Sequence, residues 1–235
     1  PYGDIEGAPV SLALWKIHSG GVGGSSVIQT EGGTIKVGPT SVGAAPGPAC
    51  FARGGTDLTI TDIALMNGMI DPATYFGGEL TLDKERAKTA LATAIGEPLH
   101  LDESAAIEAA ESAWINQIVL GINRITDTNE NTMLAGFGGG GPMLLTAVAD
   151  QLGVKKAMIP GMAAIFSAYG IGFSDLSQHY QVHLQDKSLE QLERASEELL
   201  LRATRDMFAE NTDIDDCELQ WSLVDSNGGG AVGAW

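Results

Sequence analysis

The sequence predicts an α/β layered fold with a sheet that is at least partly parallel. Three observations carry that prediction. First, in the middle of the chain a short apolar strand, LAGF (Leu134 to Phe137), gives way to a helix pattern, PMLLTAVADQLG, and then to a second strand, KKAMIP (Lys155 to Pro160). Strands that alternate with helices build parallel pairs. Second, Ile107, Ile115, Ile118, Ile122 and Ile125 fall on one stripe at helical spacing, with acidic residues opposite. Third, 235 residues with 44% hydrophobic content suffice for a substantial core in one domain or two intimate ones.

Taken in order, the first third is a region of short strands and glycine. VSLALWKI (Val10 to Ile17), SVIQT (Ser26 to Thr30) and GTIKVG (Gly33 to Gly38) read as strands around the loop SGGVGG. TSVGAAPGPACFARGG, from Thr40 to Gly55, is too dense in proline and glycine for a regular element and too apolar for a tether. It is expected to be an ordered loop packed on the body. From Thr61 the pattern turns helical: TDIALMNG begins with Thr61 or Asp62 as cap, and LDKERAKTALATAIG has Asp83 at its start and Gly96 as its stop. DESAAIEAAESAWINQIVLGINRI is the longest helix, and PMLLTAVADQLG stops at Gly153. IFSAYGIGFSDL is expected to be a short buried helix. After His183 the composition becomes strongly charged; KSLEQLERASEELLLRATRDMFAEN presents Leu189, Leu192, Leu199 and Phe208 on an amphipathic face, and CELQWSLVDSNGGGAVGAW holds one strand and a glycine-rich tail. No internal repeat is visible.

Thirty acidic and thirteen basic residues give a formal net charge of −17, which repels phosphodiester backbones and anionic lipid over most of the surface. Nucleic acid and membrane are therefore discounted as partners, while a local nest of N–H groups or a bound cation leaves small anions possible. No apolar run reaches the roughly 18 residues of a membrane span, and PYGDIEGAP does not resemble an export signal. A cytoplasmic location is expected. Cys50 and Cys217 stand far apart with no CxxC or Cys/His cluster, so neither a disulfide framework nor a structural zinc is expected.

The run Gly138 to Gly141 admits two readings. A strand, a glycine turn and a helix N-terminus can bring backbone N–H groups up to phosphate or sugar oxygens; equally, glycines let a helix pack close to a strand. The pattern is neither GxGxxG nor GxxxxGKS/T. SGGVGGSS is open in the same way between an anion-binding nest and a hairpin loop, and Asp62 between a metal or water ligand and a helix cap. Asp175, in FSD, is expected to be a partly buried carboxylate in need of a partner. His179 and His183 fit a solvated pair, and no histidine has zinc spacing. No Ser/His/Asp or Cys/His arrangement emerges, Cys50 is expected to be buried and inert, and no catalytic or metal-binding residue is assigned.

The order of the motifs is specific. HSGGVGGSS, GGTIKVGPTSVGAAPGPACFARGG, TITDIAL, DPATYFGGELTLD, LAGFGGGGP and IPGMAAIFSAYGIGFSD together resemble the hydantoinase A / 5-oxoprolinase family, which includes subunits of acetone and acetophenone carboxylases. The resemblance covers about Ile17 to Tyr180, with PGPAC and GFGGGGP its strongest parts. It implies an actin-like ATPase fold of two RNase-H-like halves closing on ATP and Mg²⁺, this chain holding a half with a mixed sheet and flanking helices, followed by a C-terminal helix and tail. Residues 1–183 would form the family-like region and residues 184–235 the extension. It also implies that Gly138, Gly139, Gly140 and Gly141 form the adenosine-side turn, with Gly140 standing where the family has alanine.

The activity implied is ATP-dependent activation of a substrate carbonyl, in lactam or imide ring opening or in ketone carboxylation, on a small-molecule amide or ketone. A hydantoinase B-like partner subunit would complete the reaction. The family's DxGGT loops, which hold phosphate and Mg²⁺, occur nowhere in the chain. The expectation is therefore a fragment or a split subunit, inactive in isolation, with a chain or segment carrying those loops as partner. The alternative is a non-catalytic scaffold contributing half of a nucleotide site to a larger complex. A sugar-kinase-like enzyme of the same clan would need an acidic base beside a sugar pocket, and none stands out.

Overall fold

The structure, a computed structural model, describes residues 3–5, 8–10, 18–185, 188–224 and 231–234. The chain divides into two compact units, a larger one that contains residues 18–173 and a smaller one that contains residues 174–185 and 188–224.

Near the N-terminus β1 (Gly3–Ile5) pairs with β2 (Ala8–Val10). Of the strand expected over Val10 to Ile17, Val10 ends β2 and the rest lies outside the described residues. The body of the larger unit begins with an antiparallel hairpin, β3 (Ser26–Glu31) and β4 (Thr34–Ser41), in which Ile28 faces Val37 and Thr30 faces Ile35. The two-residue turn between them is Gly32–Gly33, both at positive φ, as a tight primed turn requires. Ile28 and Val37 point into the core. The SGGVGG loop precedes this hairpin, and the strand that would make it a hairpin turn lies outside the described residues. Its shape follows from packing: a Cβ on Gly24 would lie 2.7 Å from the Thr61 hydroxyl, and Thr61 donates that hydroxyl to the Gly24 carbonyl at 2.9 Å.

The proline-rich loop is ordered on the body as expected, with a short 3-10 turn at Ala49–Phe51 whose Ala49 and Cys50 are buried. It is pinned by α1 (Ile60–Met66), all seven of whose residues are buried. The cap of α1 differs from the expectation. Thr59 is the N-cap, and Asp62 is the third helical residue, reaching back to the Thr59 N–H in a capping box. The helix thus starts two residues earlier than a Thr61 cap would give, and Ile60 and Thr61 are already helical and buried.

Next, α2 (Lys84–Leu91) starts on Asp83, whose carboxylate accepts the Glu85 and Arg86 N–H groups. Gly96 does not stop it. The helix widens into a π turn over Ala92–Gly96 and continues as α3 (Glu97–Leu99) to His100, which closes it at positive φ. Thr30 on β3 donates its hydroxyl to the Ala94 carbonyl within that turn at 2.8 Å. The longest element, α4 (Glu103–Ile125), is the expected longest helix and is capped by Asp102, which accepts the Ala105 N–H. Its most buried stripe is Ala106, Ala110, Trp114 and Val119, while Ile107, Ile115, Ile118 and Ile122 flank that stripe. Small alanines let α4 lie close to its neighbours, and the bulkier isoleucines fill the margins.

The predicted strand-helix-strand unit is present: β5 (Met133–Ala135), α5 (Leu145–Leu152) and β6 (Lys156–Met158), with β5 and β6 paired in parallel and Gly153 closing α5 at positive φ. The sheet is small; the described strands form four separate two-stranded pairs. The helix α6 (Phe166–Ile171) is not buried, and no residue of it falls in the core. Its apolarity was the only sign of burial; Phe166 rests partly buried against Phe137, while residues 167–171 are exposed.

In the smaller unit α7 (Leu189–Ala209) is capped by Ser188. Ala203 and Met207 are its buried residues, whereas Leu189 and Phe208 are 71% and 80% exposed. Leu192 and Leu199 are partly buried on the same stripe as Ala203 and Met207, so the expected face holds at those two residues and not at Leu189 and Phe208. The pairs Arg194–Glu190 and Arg202–Glu198 are exposed and contribute a few tenths of a kcal/mol each. β7 (Ser222–Val224) pairs antiparallel with β8 (Ala231–Ala234), so part of the expected tail is a strand. Asp175 is exposed and not partly buried, and His179 and His183 lie exposed in irregular chain. Among the described residues, no helix is long and apolar enough to cross a membrane.

Candidate functional site

Two polar features inside the larger unit are built from the motifs that the sequence singled out. In one, the buried Asp62 carboxylate gathers the PGPAC loop. One oxygen accepts the Cys50 N–H at 2.8 Å, and the other accepts the Thr59 N–H and the Thr59 hydroxyl, each at 2.8 Å. The Cys50 carbonyl in turn accepts the Asp83 N–H, also at 2.8 Å. This is a structural keystone that fixes a proline-rich loop to two helix starts. Burial first, and then the adjacent Asp62 carboxylate, push the Cys50 thiol well up from its ordinary range, so it stays protonated. Both cysteines are free, and Cys217 is partly exposed. A thiol-reactive disulfide reagent at about pH 8 is therefore expected to titrate one of the two thiols in the native protein and both in denaturant; fast reaction of both in the folded chain would contradict the buried loop.

The other feature is the glycine turn. Residues 138–144 form it between the carboxyl end of β5 and the start of α5. In parallel α/β units, that end of the strands is where ligands settle. The four glycines are not equivalent. Gly138 has φ +79°, a conformation that other residues rarely adopt, and its N–H donates to the Ala163 carbonyl at 2.7 Å. A Cβ on Gly141 would sit 2.3 Å from the Phe137 carbonyl oxygen, so only glycine fits. At Gly139 and Gly140 a Cβ would meet nothing within 4 Å, and neither has positive φ. Both are exposed, and their N–H groups donate to no acceptor among the described residues. The fold thus explains Gly138 and Gly141 but places no demand on Gly139 and Gly140.

Sequence reasoning identified the run but missed what holds it. The segment after β6 folds back onto the turn: besides Gly138 N–H to Ala163, Gly136 donates to the Met158 carbonyl at 3.0 Å, and the rings of Phe137 and Phe166 lie 5.3 Å apart. A backbone carbonyl gives no sequence signal; the only trace was IPGMAAIF standing as a motif with no assigned role. A cleft of about 240 Å³ lies elsewhere, between α2 and α4, with the Lys88–Glu103 ion pair on its wall at 2.6 Å. No residue of the glycine turn lines it. Among the described residues no group of three His, Cys, Asp or Glu side chains converges as a metal site would.

Comparison with known proteins gives a consistent result. The family model described as hydantoinase/oxoprolinase matches residues 2–180. The chain is 27% identical to the acetophenone carboxylase gamma subunit of Aromatoleum aromaticum, over 91% of this chain and 31% of that protein. It is 29% identical to the caprolactamase subunit alpha of Pseudomonas jessenii, over 91% of this chain and 32% of that one. Among solved structures it resembles nucleotide-free acetone carboxylase with a TM-score of 0.65 at 24% identity, over 84% of this chain and 30% of that one. The ATP-dependent caprolactamase of P. jessenii gives a TM-score of 0.59 at 28% identity, over 79% and 28% respectively. The chain spans about a third of the length of these relatives.

Proposed function

Since the chain belongs to the hydantoinase/oxoprolinase family, we propose that it is part of an ATP-dependent subunit that activates a substrate carbonyl, and that its glycine turn is the adenosine-side contact. The fold is read as one half of an actin-like ATPase. The observation that carries the assignment is the contrast within the turn. Two exposed glycines that neither backbone conformation nor packing requires are what a backbone needs where a ligand must come very close.

The chain's own residues then do three things. Gly138 and Gly141 shape the turn, Gly139 and Gly140 leave two N–H groups unobstructed, and the N-terminal end of α5 behind them adds a positive partial charge. The phosphate and Mg²⁺ ligands are assigned to a segment carrying the DxGGT loops. Phosphoryl transfer, when ATP is bound there, would turn a weak electrophile or poor leaving group into a good one. The substrate is a small amide, imide or ketone, and a hydantoinase B-like subunit would complete the reaction.

Isothermal titration tests the split. The isolated chain is expected to show no tight binding of Mg·ATP, and affinity is expected to appear once the polypeptide with the DxGGT loops is added. A dissociation constant below about 1 μM for the chain alone would show that the phosphate site lies within it and overturn the division.

A further inference from the structure

We propose that Met162 is a positioning residue for the glycine turn: its left-handed backbone aims the Ala163 carbonyl at the Gly138 N–H, and the segment Pro160–Phe166 thereby braces the turn in the shape that leaves Gly139 and Gly140 open. The inference rests on the reading of the turn as a nucleotide contact. Its geometry stands apart from that reading. Pro160–Phe166 leaves β6 at the same end of the parallel pair at which the glycine turn leaves β5. Met162 has φ 58° and ψ 32°, a region that costs a residue with a side chain free energy and persists only where the surroundings impose it.

The side chain does not explain this conformation, since Met162 is 53% exposed. The backbone does. Directly after Met162 the chain enters a 3-10 turn, Ala163–Ile165, in which Ile165 donates to the Met162 carbonyl at 2.9 Å. The Ala163 carbonyl accepts the Phe166 N–H inside that turn and also the Gly138 N–H, the latter at 2.7 Å. The turn is held at its N-terminal end, by Met158 through Gly136 and by Ala163 through Gly138, with the Phe137 and Phe166 rings in contact beside it. Fixing Gly138 decides which donors remain. Its own N–H is satisfied, and the next two face solvent.

The test uses the full chain labelled with ¹⁵N. It follows amide exchange at Gly138 and the shifts of Gly139 and Gly140 when adenosine is added at concentrations on the order of millimolar, with inorganic phosphate as the comparison. Met162→Gly adopts the left-handed backbone freely and is expected to keep both Gly138 protection and the adenosine response. Met162→Val is β-branched and poorly suited to that region; it is expected to speed Gly138 exchange roughly tenfold or more and to remove the response at Gly139 and Gly140. The amides of the β3–β4 hairpin should stay protected in both variants, which separates a local effect from unfolding. Unchanged Gly138 exchange in Met162→Val overturns the brace, as does lost protection with the adenosine response intact. If the unaltered chain shows no response to adenosine, the nucleotide reading of the turn fails, and Gly138 exchange still decides whether the brace exists.

Discussion

Asp62→Ala is expected to lower the unfolding free energy by about 3–5 kcal/mol, read from urea denaturation with an unchanged slope. Asp62 is completely buried, and its two oxygens accept three hydrogen bonds, from the Cys50 N–H, the Thr59 N–H and the Thr59 hydroxyl. Truncation leaves those donors in apolar surroundings beside Leu58 and Ile63, where each unpaired group costs about 1–3 kcal/mol before relaxation. The capping box of α1 is lost with them, about another 1 kcal/mol. Asp62→Asn is a sharper probe. It keeps the volume but turns an NH₂ group towards donors on one side, so it should recover less than half of the loss. For a chain of this size a deficit of 3 kcal/mol corresponds to roughly 6–12 °C in melting temperature. A change below about 1 kcal/mol in Asp62→Ala would mean that the carboxylate is not what fastens the PGPAC loop to the body.

What the sequence showed and what it hid divide along one physical line. Local chemistry was legible. Asp83 and Gly153 cap or close the helices at which they were expected, because a cap is decided by residues within one turn of it. Strand-helix-strand alternation gave the parallel pair of β5 and β6. Properties that depend on distant neighbours were not legible. Gly96 looks like a stop, yet the helix runs past it through a π turn. IFSAYGIGFSDL looks buried because it is apolar, but burial depends on what lies opposite, and α6 is exposed. In the same way, a run of four glycines is visible at once, while the requirement for each one is set by Phe137, by Ala163 and by empty space, which only coordinates reveal.

That distinction predicts opposite outcomes for neighbouring substitutions. Gly139→Val is expected to leave the chain folded, with a melting temperature within about 2 °C of the parent, and to reduce ATP turnover of the complete assembly by at least about 100-fold. A Cβ at residue 139 meets nothing within 4 Å and the backbone is not left-handed, so the protein itself has no reason to object. The isopropyl group does occupy the exposed space over the turn through which a ligand must reach the Gly139 and Gly140 N–H groups. Gly141→Ala should behave the other way. Its Cβ would lie 2.3 Å from the Phe137 carbonyl, forcing the turn apart at a cost of about 1–3 kcal/mol, and any loss of nucleotide affinity would follow from that distortion. Thermal melts of the two variants beside ATP turnover of the reconstituted assembly separate the cases. Turnover that survives Gly139→Val would show that the open glycines are not a ligand approach, since no packing role is left to explain them. A stable Gly141→Ala would instead show that the turn is shaped differently from the structure described.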